Sequence, residues 1–83
     1  MNSIYIRKRT MRSGRVYLYL QYYPPIRNPR TNKAIRWEAL KLEIFPNPKT
    51  TFEREHNKSM IEMAEIIKSK RMMLLAGESY GFI

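Results

Sequence analysis

Arginine, tyrosine and glutamine alternate along two stretches near the start of the chain: Tyr5, Arg7 and Arg9, then Arg15, Tyr17, Tyr19 and Gln21. A guanidinium grips a phosphate, or the O6/N7 edge of guanine, with two parallel N–H donors. Glutamine pairs in the same way with adenine, and tyrosine rings stack on unpaired bases. This set suits recognition of a polyanion better than bond making. Nine cations (Arg7, Lys8, Arg9, Arg12, Arg15, Arg27, Arg30, Lys33 and Arg36) and no acid lie in residues 1–36, whereas residues 37–83 hold seven of each sign. The first 36 residues thus carry the whole formal charge of +9. A one-signed field concentrated on part of a small fold steers anions toward it. The plainer alternative is a basic face that only aids solubility.

Other chemistries lack raw material. The 83 residues contain no cysteine, no aspartate and one histidine, His56. Disulfides, thiol chemistry, a conventional triad and a metal site are therefore not expected, and no cofactor is expected either. A chain of this length makes one small domain without room for a substrate cleft, so a non-catalytic binding module is the expectation. Glu53-x-x-His56 repeats half of a di-iron helix motif, but that chemistry needs a second copy on facing helices. Gly77-Glu78-Ser79-Tyr80-Gly81 matches the G-x-S-x-G elbow in letters only, since it follows a helical pattern instead of a strand. His56 is expected to pack or cap. The apolar runs fall far short of the roughly 20 residues that span a bilayer, and a cytoplasmic protein is expected.

Alternation places one strand at about Ile4–Lys8 and a clearer one at Arg15–Tyr23, joined by a turn in which Gly14 takes positive φ. Val16, Leu18, Leu20 and Tyr22 share one side of the second strand; Arg15, Tyr17, Tyr19, Gln21 and Tyr23 share the other. Pro24-Pro25 is expected to end that strand, and Asn32 to take a left-handed turn position. A third strand over about Lys33–Leu42 has a broken pattern, read as a phase slip near Glu38–Ala39. Thr50-Thr51-Phe52-Glu53 has the spacing of a capping box, and a helix is expected from Thr51 to Ala76 with Gly77 as its stop. Its apolar stripe reads Met60, Met63, Ala64, Ile67 and Leu74. The helix is longer than the strands, so Met72–Leu75 is a candidate surface for another domain or chain.

The fold class is therefore α+β: a three-stranded antiparallel sheet packed on one long C-terminal helix, in the order β-β-β-α. One sheet face, with Ile4, Ile6, Val16, Leu18, Leu20, Tyr22 and Trp37, is expected against the helix. The other stays open and carries Tyr5, Arg7, Arg9, Arg15, Tyr17, Tyr19, Gln21 and Arg36. Lys8, Arg12, Arg30 and Lys33, with Arg27, fall at edges or turns where phosphates would flank it.

Several short motifs, in order, carry a resemblance: Gly14-Arg15-Val16-Tyr17-Leu18-Tyr19-Leu20, Tyr23-Pro24-Pro25, Asn28-Pro29-Arg30-Thr31-Asn32-Lys33, Leu40-Lys41-Leu42, Asn47-Pro48-Lys49-Thr50 and Glu55-His56-Asn57-Lys58. Together they resemble the N-terminal arm DNA-binding domain of Bacteroides-type tyrosine recombinases, the integrases of conjugative transposons and related elements. The resemblance implies a sheet that docks in the major groove of arm-type sites during DNA integration and recombination. It also implies that residues 1–76 form the DNA-binding domain and that 77–83 begin a linker to core-binding and catalytic domains. Tyr80 would then not be a nucleophile, and the piece by itself would be a monomer. Two other readings stay open: a single-stranded DNA or RNA binder that uses tyrosine stacking, and a protein-interaction module built on the helix.

Overall fold

The computed structural model describes residues 3–28 and 31–79. Strand β1 (Ser3–Thr10), β2 (Val16–Arg27) and β3 (Ala34–Ile44) form one antiparallel sheet in the order β1-β2-β3, and helix α1 (Thr51–Ser79) packs across it. The α+β architecture expected from the sequence is the one observed. In the first hairpin, β1 pairs residue by residue with β2 from Ser3↔Tyr23 to Thr10↔Val16. Gly14 closes the turn at φ 89°, donating to the Met11 carbonyl at 3.0 Å. Asn32 takes φ 61° before β3, the left-handed position that asparagine tolerates.

Strand β2 does not end at Pro24-Pro25. It continues to Arg27, with a cis peptide between Tyr23 and Pro24. Prolines have no N–H to give, and the β2–β3 pairing skips them: Gln21 pairs with Trp37, and the next pair is Ile26 with Ile35. They interrupt the ladder without ending the strand.

That gap also moves the phase slip of β3. Ile35 packs against the core cluster of Ile4, Leu20 and Tyr22, and Glu38 reaches Tyr22 on the same side. Both face inward although their spacing is odd, so the slip falls at Arg36 and not at Glu38–Ala39. Trp37, expected beneath the helix, is turned outward and is 56% exposed. A second irregularity leaves Leu40 and Lys41 unpaired between Leu18↔Leu42 and Tyr19↔Ala39, with Lys41 at φ 59°. Because two residues are inserted, alternation survives it. Leu40, Leu42 and Ile44 join the core, while Ala39, Lys41 and Glu43 fall on the opposite side.

Two clusters make that core: Val16, Leu18, Ile44 and Ala64, and then Ile4, Leu20 and Tyr22. From α1, Met60 packs on the first cluster, and Ile67 and Leu75 on the second. Leu75, eleven residues after Ala64, returns to within about 20° of its direction, whereas Leu74 points about 80° away. The stripe is thus Met60, Ala64, Ile67 and Leu75; Met63 and Leu74 are 48% and 52% exposed. Met72 and Met73 are exposed as well, while Leu75 is not.

The capping box forms as read. The Glu53 amide donates to Thr50 Oγ1 at 3.1 Å, and the Glu53 carboxylate accepts from the Lys49 and Thr50 amides at 3.0 and 3.1 Å. Those backbone donors hold the Glu53 carboxyl below the usual range. The helix passes through Gly77 to Ser79 instead of stopping after Ala76, since glycine inside a helix costs only about 1 kcal/mol. His56 packs, as expected: its Nε2 lies 2.9 Å from the Glu43 carbonyl and its ring meets Phe45 edge-on. Beside it Asn57 clasps the Phe45 backbone, accepting from its amide at 2.7 Å and donating to its carbonyl at 2.9 Å.

One polar tie joins both layers. Arg71 on α1 donates through Nε and Nη2 to the two oxygens of Glu38 on β3, at 3.0 and 2.7 Å. The Tyr22 hydroxyl on β2 donates to the same carboxylate at 2.6 Å. Arg71 holds the Glu38 carboxyl below its ordinary value against the opposing effect of partial burial, with Tyr22 assisting. Burial first, and the adjacent carboxylate second, push the Tyr22 hydroxyl up. Above the unfolded value near 4.5, Glu38 is ionised in both states and its contribution to stability is complete. As pH falls through that value toward the lower folded one, the unfolded chain takes up the proton first and the contribution is lost. Glu38→Gln should therefore lower Tm at neutral pH and flatten its fall below about pH 4.5, as read by thermal unfolding across the acid range. Parallel Tm curves for the two proteins would contradict this role.

Candidate functional site

With α1 on one side, the opposite face of the sheet is uncovered, and the register fixes what lies on it. Three rows cross the strands. Tyr5, Gln21 and Trp37 form the first, Arg7, Tyr19 and Ala39 the second, and Arg9, Tyr17 and Glu43 the third. Lys41 enters between the last two rows from its bulge.

Contacts within the face hold its side chains in place. The Arg7 guanidinium lies 5.2 Å above the Tyr5 ring centroid, and its Nε donates to Gln21 Oε1 at 2.9 Å. This uses the inner donor of Arg7; among the described residues its four terminal N–H groups, which form the fork suited to a planar acceptor pair, have no partner. Tyr19 and Trp37 meet edge to face, their centroids 6.5 Å apart and their planes at 80°. At the hairpin end Arg15, just before β2, lies 3.9 Å from the Glu43 carboxylate. Hydrogen bonding to Tyr17, and then the charge of Glu43, raise the Arg15 pKa. A cleft of about 610 Å³ runs along this face, walled by Tyr17, Tyr19 and Trp37, floored by Ala39 and rimmed by Arg9 and Lys41.

The register therefore brings Arg7, Arg9, Tyr17, Tyr19 and Gln21 onto one surface with Arg15 at its end. Lys8 alternates to the other side of β1, at the sheet's outer edge, and is exposed. Arg12 sits in the hairpin turn and Lys33 just ahead of β3, both exposed. Exposed Arg36 stands at the break in pairing, where alternation assigns it no face. Arg30 lies outside the described residues. Sequence reasoning missed three members of the surface: Trp37, Lys41 and Glu43. Pro24-Pro25, in the unpaired stretch of β2 opposite Arg36, were the available signal for the first, because they move the slip ahead of Trp37. The Leu40-Lys41-Leu42 step carried no signal for a left-handed lysine.

Among the described residues no group of three or more His, Asp or Glu could hold a metal ion, and no helix is long and apolar enough to cross a membrane. The surface offers hydrogen-bond donors, positive charge and ring faces, and it lacks the paired acid and base that proton transfer would need.

The model of a family described as "Arm DNA-binding domain" covers residues 4–75. No curated protein and no solved structure matches the chain.

The bulge that carries Lys41 onto this surface holds a non-glycine residue at φ 59°, a conformation costing roughly 1–2 kcal/mol that glycine adopts freely. Lys41→Gly should keep or raise Tm, while Lys41→Val should lower stability by more than about 1 kcal/mol, as read by denaturant unfolding. Equal losses from the two substitutions would show that backbone conformation does not govern this position.

Proposed function

The chain belongs to the arm DNA-binding domain family, and on that premise we propose that its open sheet face enters the major groove of duplex DNA and anchors an integrase to its arm sites. The family is a non-catalytic DNA-binding module of integrases, so DNA is the partner of this chain. The finer reading rests on one observation: the uncovered face aligns Arg7, Gln21 and Tyr19 across β1 and β2, with Arg7 held by Gln21 and its terminal donors unspent among the described residues. At ordinary strand spacing the outer strands of a three-stranded sheet lie about 10 Å apart, which suits a groove about 12 Å wide.

In this reading Arg7, Arg9, Arg15, Tyr17, Tyr19, Gln21 and Arg36 contact the groove. Lys8, Arg12, Arg30 and Lys33 take the flanking phosphates, with Lys41 as a further cation. Glu43 opposes Arg15 and keeps it oriented rather than spent on the nearest phosphate. The parent protein is a tyrosine recombinase of a mobile element, and the chain acts in the cytoplasm alongside the recombinase's core-binding and catalytic domains.

Arg15→Ala and Tyr19→Ala should weaken duplex binding, by about five- to 150-fold for an arginine that pairs with guanine, whereas Lys68→Ala on the helix should not. Lys41→Ala should flatten the slope of log K against log salt by about one contact's worth, roughly 0.9. Titration of the purified chain and its variants with labelled duplex, single-stranded DNA and structured RNA reads both effects. Equal losses from Arg15→Ala, Tyr19→Ala and Lys68→Ala, or preference for single strands, would overturn the sheet-in-groove reading. Binding that survives high salt would point to a protein-interaction module instead.

A further inference from the structure

We propose that the notch above Ala39, walled by Tyr17, Tyr19 and Trp37, seats the C5-methyl group of a pyrimidine in the major groove, and that thymine supplies it. The inference rests on the open face being the duplex-binding surface. Most of that face is donors and charge. The notch is its most apolar part: Arg9 and Lys41 stand only at the rim, the walls are three aromatic rings, and the floor is the smallest side chain on the surface, paired directly with Tyr19. Trp37 is 56% exposed, so this apolar wall stands in reach of a partner.

Major-groove edges are polar almost throughout, presenting N7, O6, O4 and amino groups. The single apolar group among them is the thymine methyl. A methyl entering the notch loses water from apolar surface on both sides, while an amino group or ring nitrogen pressed there would lose hydrogen bonds without replacement. The same notch thus favours thymine and disfavours the other three bases. It does not suit an unpaired base sandwiched between two rings, because the Tyr19 and Trp37 planes stand at 80°. Arg9 and Lys41 at the rim lie where they can hold the backbone beside that pyrimidine.

The test begins with duplexes selected by the full chain from a random pool. In the preferred site each thymine is replaced in turn by deoxyuridine, which removes the methyl and nothing else, and affinity is read by competition. At one thymine position the wild-type chain should lose roughly fourfold, the fold-change given by about 0.8 kcal/mol for one buried carbon. Ala39→Val, which fills the notch, and Trp37→Ala, which removes a wall, should each shrink that methyl-dependent loss to under about 1.5-fold, whatever either does to overall affinity. At the same position 5-methylcytosine should bind better than cytosine and worse than thymine. Tighter binding of 5-methylcytosine than of thymine would overturn thymine as the source. Duplex selection with a normal salt slope but no methyl-dependent position, or a loss equal in wild type and both variants, would overturn the notch alone. Failure to select any duplex would remove the sheet-in-groove reading beneath it.

Discussion

A single helix about 10 Å across can seal only one face of a three-stranded sheet, and this chain has no second helix among its described residues to cover the other. Val16, Leu18, Leu20 and Tyr22 on the central strand go under α1 and are all but fully buried. Alternation then leaves no choice about their neighbours: Tyr17, Tyr19 and Gln21 must face water. A register slip of one residue would exchange the two sets and bury cations beneath the helix, so the apolar side fixes the polar side as firmly as it fixes itself. The proposed functional surface is in this sense the remainder of the core.

Polar contacts reinforce the choice. Glu38 receives donors from Arg71 and Tyr22, tying α1, β3 and β2 at one carboxylate. Asn57 occupies both backbone groups of Phe45, so the strand end is paired although no further strand lies there. The Thr50–Glu53 box starts the helix where the chain leaves β3. Each contact joins the helix to the third strand or to the connector after it. That strand packs against only one neighbour in the sheet and carries the outward Trp37 and Lys41. Its two irregularities are what bring those side chains into line with Tyr17 and Tyr19.

Local signals in the sequence were read correctly wherever a short stretch decides its own conformation. The β1–β2 hairpin, Gly14, Asn32, the capping box and the existence of the helix are of that kind, and so is the segregation of charge. Features that depend on a distant partner were not visible. Pro24-Pro25 reads as a stop until β3 is seen to skip it, and the side taken by Trp37 follows from that skip. Leu74 and Leu75 are both apolar, and only the direction set by Ala64 chooses between them. Glu38 and Arg71 are 33 residues apart and look like two ordinary surface charges until the helix lies across the sheet. Of the candidate site, the β1 and β2 members were legible from alternation, whereas the β3 members required the observed pairing.

Membership of the arm DNA-binding domain family implies a DNA partner, and the cationic, aromatic face reached from packing alone suits a polyanion. What remains to be measured is whether that face is where the partner sits. Chemical-shift mapping of the isotope-labelled chain, titrated with a selected duplex and with a scrambled one, addresses this directly. The account requires the largest shifts at Tyr5, Arg7, Arg9, Tyr17, Tyr19, Gln21 and the Trp37 indole, stronger with the selected duplex, and little change at Lys58 and Glu62 on the outer side of α1. Shifts concentrated on that helix side, with the open sheet face unmoved, would contradict it.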